Sequence, residues 1–208
     1  NAFQPWFFSR IADGTAAEKK KITTWIALGM AVLVLGILMA APEIIAVMAG
    51  EAYQQAVWAV PPIAASLYAY YCTSIFLYLD FYYEKKAYMN AATILAAVLN
   101  VGLNWILIPR FGFVGAAYTT LASYLAFEFA AYYSYRRILK QYGYQEELFA
   151  SKALFLIQIA VTVSGLGTAV LYHSFLLRGL LIIAVFAIVY FQRDKVSHIF
   201  KELRKEKV

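Results

Sequence analysis

Long runs of residues without charge are the feature that most restricts how this chain can fold. Residues 22–42, 52–79 and 87–109 contain no charged side chain, residues 111–135 contain only Glu128, and residues 153–192 contain only Arg178. A helix needs about 20 apolar residues to cross the hydrocarbon core of a bilayer. The last run is long enough for two such helices, which would turn near residues 173–179. The sequence therefore predicts an all-α integral membrane protein with six transmembrane helices, at about residues 22–41, 57–79, 88–108, 114–136, 153–172 and 176–191.

The overall composition excludes a water-soluble enzyme or regulator. The chain is 63% hydrophobic and 14% charged, whereas soluble domains are about 45–50% apolar and about 25% charged. A compact globule of this size has too little interior for so many apolar residues, so the surplus must face lipid. The net charge of +6 comes from basic residues that lie between the apolar runs. Membrane topology explains that arrangement, and we expect no nucleic-acid partner.

The distribution of lysine and arginine predicts the orientation of the helices. Six spans divide their connections into two alternating sets, and all but two of the 18 basic residues fall in one set, which includes residues 193–208. The other set holds only Arg110 and Arg178, which we interpret as headgroup anchors. Positively charged loops stay in the cytoplasm, so both ends of the six-helix region, residues 22–192, are predicted to be cytoplasmic. The basic residues of segment 1–21 then belong to a cytoplasmic loop, and residues 193–208 form a basic cytoplasmic tail.

Polar residues recur along one face of the third predicted helix. Asn90, Thr93, Asn100 and Asn104 follow one another at helical spacing. Polar groups inside a membrane usually face the interior of a helix bundle. Two interpretations remain open for Thr93, Asn100 and Asn104. They line a polar cavity that contacts substrate, or they form hydrogen bonds between helices that hold the bundle together.

Glu128 is the one carboxylate inside a predicted span, which makes it a candidate proton or cation site. Tyr124 and Tyr132 flank it at four residues on either side, so either phenol is placed to hydrogen-bond the acid. The alternative is that Glu128 lies close enough to the interface for its carboxylate to reach water. In the second predicted helix, Tyr68 and Tyr71 are candidates for stacking on sugar rings, with core packing as the alternative.

Nothing in the sequence predicts an enzyme, a cofactor or a metal site. The single cysteine, Cys72, excludes an intramolecular disulfide and a CxxC site. His173 and His198 have no companion at the spacing of metal ligands. Asp80 and Glu84 are the acids that a membrane glycosyltransferase would need in a cytoplasmic loop, but beside Lys85 they are typical of a solvated interface.

Several stretches of the chain resemble bacterial oligosaccharide flippases. The clearest is the run Leu107-Ile-Pro-Arg-Phe-Gly-Phe-Val-Gly-Ala-Ala-Tyr-Thr-Thr120, which follows Asn100 and Asn104. Together they are similar to the pattern N-x-x-x-N, I-P-x-x-G-x-x-G-A-A-x-x-T of polysaccharide-export flippases (Wzx-like) of the MOP superfamily. Residues 3–8, FQPWFF, resemble the end of a helix in the same proteins, which implies that residues 1–21 are the end of a preceding helix and a cytoplasmic loop. The resemblance covers nearly the whole chain and is strongest over residues 83–123.

The resemblance implies a particular architecture and activity. Members have about fourteen transmembrane helices. On that template the six predicted helices are the last six, and the N-terminal transmembrane lobe is absent from this sequence. The chain begins at Asn1 rather than Met, as expected for a piece of a longer protein. Alternating access would move a polyprenyl-diphosphate-linked oligosaccharide across the bacterial cytoplasmic membrane, for export of a cell-surface polysaccharide such as the O-antigen of lipopolysaccharide. The cations that bind the diphosphate would then lie on the absent lobe.

Two other functions fit the same sequence features. One is a multidrug or cation antiporter of the same superfamily, whose coupling acids would lie mostly outside this sequence. The other is a membrane subunit that pairs with other helices and transports nothing. The tyrosine and asparagine content, together with residues 109–120, favours the flippase.

Overall fold

The computed structural model describes residues 3–13 and 16–191, and this part of the chain is helical with no β-strand. The predicted basic tail, residues 193–208, and His198 lie outside the described residues. The helices are α1 (Phe3–Asp13), α2 (Ala16–Ala49), α3 (Val60–Phe76), α4 (Tyr78–Tyr82), α5 (Lys86–Gln141), α6 (Ser151–Thr168) and α7 (Phe175–Phe191). Two 3₁₀ segments, Glu51–Ala59 and Ala169–His173, lead into α3 and follow α6.

The described residues contain four helical segments long and apolar enough to cross a membrane. They are Ala16–Ala49, Tyr53–Tyr82, Lys86–Gln141 and Ser151–His173. The prediction of an all-α fold is therefore confirmed for the described residues, and their long apolar helices are compatible with a membrane protein. The count differs from six because the predicted helices 88–108 and 114–136 are joined in α5. The last predicted helix corresponds to α7, whose described apolar part is shorter.

The helix α5 is bent sharply at Gly112. This residue has φ 57° and ψ −143°, a conformation outside the helical region that is open to glycine. The hydroxyl of Thr119 donates a hydrogen bond to the side-chain oxygen of Asn104, although 15 residues separate them. In a straight helix they would lie about 22 Å apart. Residues 86–111, the first arm, and residues 113–141, the second arm, therefore fold back on each other as a helical hairpin.

The open end of this hairpin is closed by tyrosines. The ring of Tyr83, just before α5, stacks on Tyr142, just after it, with centroids 3.6 Å apart. The Tyr83 and Tyr144 hydroxyls lie 2.7 Å apart and share a hydrogen bond. Burial, together with this hydrogen bond, raises the pKa of Tyr144 above its ordinary value. We call this end of the molecule the base end, and the end that contains Gly112 the turn end.

The helix α3 is the most enclosed of the long helices and forms the centre of the bundle. Pro61 and Pro62 lie in its first turn, where a missing N–H leaves no hydrogen bond unmade. They therefore start α3 rather than kink it. The small residues Ala64, Ala65 and Ala69 are buried on this helix, which packs against α5, α6 and α2.

An aromatic cluster fixes the base end. Phe7 of α1 packs against Phe149 with ring centroids 4.8 Å apart, and Tyr135 packs against the same ring at 5.3 Å. The Tyr135 hydroxyl accepts hydrogen bonds from the backbone N–H groups of Leu148 and Phe149, at 2.8 and 3.0 Å. The loop between α5 and α6 is thus tied to the second arm.

Two boundaries differ from the predicted ones. The helix α2 begins at Ala16 rather than near residue 22, so the lysines at positions 19–21 are helical. It also continues through Pro42 to Ala49, whereas the predicted span stops at residue 41. A proline inside a helix removes one backbone hydrogen bond, but here the helix is resumed on the far side.

Candidate functional site

Glu128 belongs to the second arm of α5 and is buried in the region where α5 packs against α3. Its residue is 1% exposed, which excludes a carboxylate that reaches water in this structure. The carboxylate lies close enough to Tyr68 and Cys72 of α3 to act on both electrostatically. Its Oε1 has no hydrogen-bond partner. Glu128 is therefore a buried acid whose charge is not compensated by a described neighbour.

The predicted phenol partners of Glu128 are used elsewhere. The Tyr132 hydroxyl accepts a hydrogen bond from Arg136 at 3.3 Å. The ring of Tyr124 packs edge-on against Tyr70, with centroids 5.5 Å apart. The interpretation that either phenol hydrogen-bonds Glu128 is not supported by this geometry, because both side chains turn toward other residues of the bundle.

Asp80 is a second buried acid, and the interpretation of this residue as solvated is wrong. It is 1% exposed, and the Ser134 hydroxyl of the second arm donates a 2.6 Å hydrogen bond to its Oδ1. Its Oδ2 has no partner. Asp80 belongs to α4, a single turn that continues α3 after a break at Leu77 and carries the side chain into the bundle.

Tyr68 and Tyr71, the sugar-stacking candidates, are packed inside the bundle. Tyr68 has no exposed surface, and its hydroxyl donates to the carbonyl oxygen of Ala27 at 3.2 Å. The Tyr71 hydroxyl is buried without a partner, and the two rings lie 6.0 Å apart. Core packing, the alternative interpretation, describes both residues here.

The polar stripe of the first arm is divided between two roles. The Asn104 amide donates to the Asn100 side-chain oxygen at 2.9 Å and accepts from Thr119 across the hairpin. These residues form hydrogen bonds within the hairpin, which was one of the two alternatives. Thr93 is exposed and its hydroxyl bonds only to the backbone oxygen of Met89 at 3.0 Å, while Asn90 is also exposed. Among the described residues, no hydrogen bond joins Thr93 to Glu128 or to the candidate tyrosines.

An aromatic cavity of about 410 Å³ opens near the turn end. The indole ring of Trp58 lies 5.9 Å from the ring of Tyr172 and 6.3 Å from that of His173. The amides of Gln54 and Gln55 line the same cavity. Sequence reasoning missed this arrangement because its aromatic and amide residues come from the two 3₁₀ segments, which are more than a hundred residues apart.

Arg178 forms an ion pair instead of anchoring to headgroups. It is 5% exposed, and its guanidinium donates two 2.7 Å hydrogen bonds to the two carboxylate oxygens of Glu43. A third bond, of 2.9 Å, goes to the backbone oxygen of Met39. This bidentate contact joins α7 to α2. The second basic residue assigned to this side, Arg110, is exposed.

The base end carries several exposed ion pairs and cations. Lys20 pairs with Glu146 at 2.7 Å, and Arg136 pairs with Glu147. Arg137 lies over the ring of Tyr88, 5.0 Å from its centroid. These residues of the second arm and the following loop surround an open depression of about 640 Å³. Within residues 3–13 and 16–191, no three histidine, cysteine or acidic side chains come together as a metal site would require.

No protein-family model, curated protein or solved structure matches this chain.

Proposed function

We propose that this chain is the C-terminal part of a flippase that moves a polyprenyl-diphosphate-linked oligosaccharide across the bacterial cytoplasmic membrane. The observation that carries the proposal is the resemblance of residues 99–120 to polysaccharide-export flippases. In the structure these residues act together. Asn104 bonds across the hairpin to Thr119, Gly112 makes the bend, and Gly115 lets the arms approach. A pattern whose members meet in space is a stronger signal than the same letters scattered over a surface.

Six spans agree with the geometry of α5. Its arms cover residues 86–111 and 113–141, so each is about 40 Å long at 1.5 Å per residue. The hydrocarbon core of a bilayer is about 30 Å thick. Counting each arm as one span, and α7 as another, supports the last six helices of a MOP-type transporter. The base end holds most of the basic residues and is placed in the cytoplasm by this proposal.

The aromatic cavity near the turn end is the part of this chain best suited to contact sugar. An indole face packs well against the apolar face of a sugar ring, and side-chain amides hydrogen-bond its hydroxyls. Trp58, Gln54 and Gln55 supply both groups. This cavity replaces Tyr68 and Tyr71 in the proposal, because those two rings are enclosed.

The test is export of the polysaccharide in a strain whose own gene for this protein is deleted. We expect the deletion to remove surface polysaccharide and to accumulate its lipid-linked precursor, and the intact gene to restore export. Trp58→Ala should lower export by up to about tenfold, the equivalent of about 1.4 kcal/mol. Trp105→Ala is the matched control, because Trp105 is 83% exposed on the first arm and is not part of the cavity. We expect it to export normally.

The outcome that rejects the proposal is equally concrete. Unchanged surface polysaccharide in the deletion strain rules out a flippase. Full export by the triple variant Asn100→Ala, Asn104→Ala, Glu128→Ala would remove these residues from the transport mechanism while leaving the flippase in place.

The buried acid Glu128 favours one other candidate, a cation-coupled antiporter of the same superfamily. This candidate predicts that the deletion strain keeps its polysaccharide and becomes sensitive to cationic dyes. The same strain therefore separates the two cargoes.

A further inference from the structure

We propose that Asp80 and Glu128 are two separate proton-binding sites, both held as neutral acids while α3 and α4 pack against the second arm of α5. The inference goes beyond the proposed function, because it concerns what these helices bind whichever cargo is moved. It rests on the burial of both acids and on their unpartnered oxygens.

The surroundings of Glu128 favour the protonated form. Taking a carboxylate out of water is strongly unfavourable unless a cation or several hydrogen-bond donors compensate its charge. In the described part of the chain Glu128 is in no ion pair, and its Oε1 accepts no hydrogen bond. The groups that face it from α3 are the Tyr68 phenol, which donates to Ala27, and the Cys72 thiol. Taking up one proton converts the carboxylate to a neutral acid and removes the cost.

The same reasoning holds for Asp80, with one added contact. Ser134 donates a hydrogen bond to Oδ1, whereas Oδ2 has no hydrogen-bond partner. A proton taken up by Asp80 is therefore expected on Oδ2. A single neutral donor does not offset the burial of a full charge. The nearest cations along the second arm are engaged elsewhere, since Arg136 pairs with Glu147 and Arg137 lies over Tyr88.

The two acids are independent sites rather than one shared site. Glu128 and Ser134, the partner of Asp80, are six residues apart on the second arm, or about 9 Å along the helix axis. Ala131 lies between these levels and is fully buried. Each acid therefore takes and releases its own proton.

Protons fit these sites better than metal cations. A Ca²⁺ or Mg²⁺ ion takes six or more oxygen ligands, whereas Glu128 faces a thiol and a phenol whose proton is already donated. Asp80 has one hydroxyl beside it. Separation of α3 and α4 from the second arm would let water reach both acids, which would then release their protons. Proton binding is thereby linked to the packing of this interface.

Infrared spectroscopy of the purified protein in liposomes tests this inference without any transport. We expect protonated-carboxyl bands at neutral pH, one lost in Glu128→Gln and another lost in Asp80→Asn. The matched control Glu84→Gln should lose neither, because Glu84 is exposed. Ser134→Ala should shift only the band assigned to Asp80.

A second measurement on the unmodified protein covers the case in which a variant fails to fold. A hydrophobic carbodiimide reacts with protonated carboxyls, and peptide mass spectrometry should place the label on Asp80 and Glu128 and not on Glu84. Absence of both bands at neutral pH, or displacement of either band by added Na⁺, would overturn the inference. Failure of polysaccharide export leaves these readouts unchanged, so the two proposals fail separately.

Discussion

Gly115 lies where the two arms of α5 approach each other closely. A Cβ atom placed there would lie 2.8 Å from the backbone oxygen of Leu107 and 3.1 Å from the Cβ of Phe111. Backbone atoms of the facing arm have no rotamer with which to move aside. The glycine at this position in the sequence pattern therefore has a packing reason of its own, apart from any contact with substrate.

Gly115→Ala is expected to destabilise the protein by about 1–3 kcal/mol, the usual cost of overpacking. Gly102→Ala is the control on the same helix, since a Cβ there meets nothing within 4 Å. Thermal unfolding of the purified proteins in detergent measures the difference. Equal melting temperatures for the two variants would show that the arms are not in contact at Gly115.

The ion pair between Arg178 and Glu43 is asymmetric, because the side chain of Arg178 is 6% exposed and that of Glu43 is 44% exposed. Removing the Glu43 side chain leaves the buried Arg178 guanidinium with only the backbone oxygen of Met39 as a hydrogen-bond acceptor. Removing Arg178 instead leaves the Glu43 carboxylate, which is exposed to water.

We therefore expect Glu43→Ala to cost more than Arg178→Met, which keeps the length of the buried side chain. The cost of Glu43→Ala should lie between about 1 kcal/mol, typical of exposed pairs, and about 3 kcal/mol, the lower value for buried ones. Denaturant unfolding gives both free energies, with Arg110→Met as an exposed control expected within about 0.5 kcal/mol of the unchanged protein. A larger loss for Arg178→Met would contradict the asymmetry.

At the scale of the elements, α5 shows which parts of the fold can be predicted from local sequence. The apolar runs before and after Arg110 predict two helices, and Pro109 and Gly112 lie where the bend is found. The hairpin follows from residues that are close in the chain. Helix lengths were underestimated because α2 and both arms of α5 continue into charged residues beyond the apolar runs.

The contacts that define the candidate sites could not be predicted in this way. Asp80 is followed by Glu84 and Lys85, a pattern typical of an exposed turn, and only its partner Ser134, 54 residues later, shows that it is buried. Glu43 and Arg178 are 135 residues apart. Charged residues beside a side chain in the sequence indicate that it is exposed only if no later helix packs over the same turn. Here the second arm of α5 packs over the turn that contains Asp80.

Disulfide formation between the two arms of α5 tests whether they fold back on each other as a hairpin. With Cys72 replaced by Ala, the pair Asn104→Cys and Thr119→Cys should form a disulfide under mild oxidation, because their side chains meet across the two arms. The control pair Asn104→Cys and Phe129→Cys should stay reduced. A protease site inserted near Gly112 lets gel electrophoresis report the linkage. A continuous helix would hold positions 104 and 119 about 22 Å apart and form no bond.

At the scale of the whole molecule, the two ends differ in how they hold their charges. Near the turn end, Arg178 is neutralised by Glu43. At the base end, pairs such as Lys20 with Glu146 are exposed to solvent. The distinction matters for orientation, because exposed cations resist transfer across a membrane.

Labelling of single cysteines tests the orientation. In a background that lacks Cys72, Arg110→Cys should react with an impermeant maleimide in intact cells. Lys86→Cys should react only after the membrane is opened. Both native residues are exposed, so lack of access within the fold does not explain a difference. The reverse pattern would place the base end outside the cell.

The bend at Gly112 also bears on how such a chain is made. A single non-helical residue joins the two arms, and Asn104 finds its partner across the hairpin only on the second of them. When the first arm leaves the ribosome alone, its amides have no such partner, and an unsatisfied polar group in hydrocarbon is costly. Insertion of the two arms together, as one unit completed only when residue 141 has been synthesised, would give Asn104 its partner inside the bilayer.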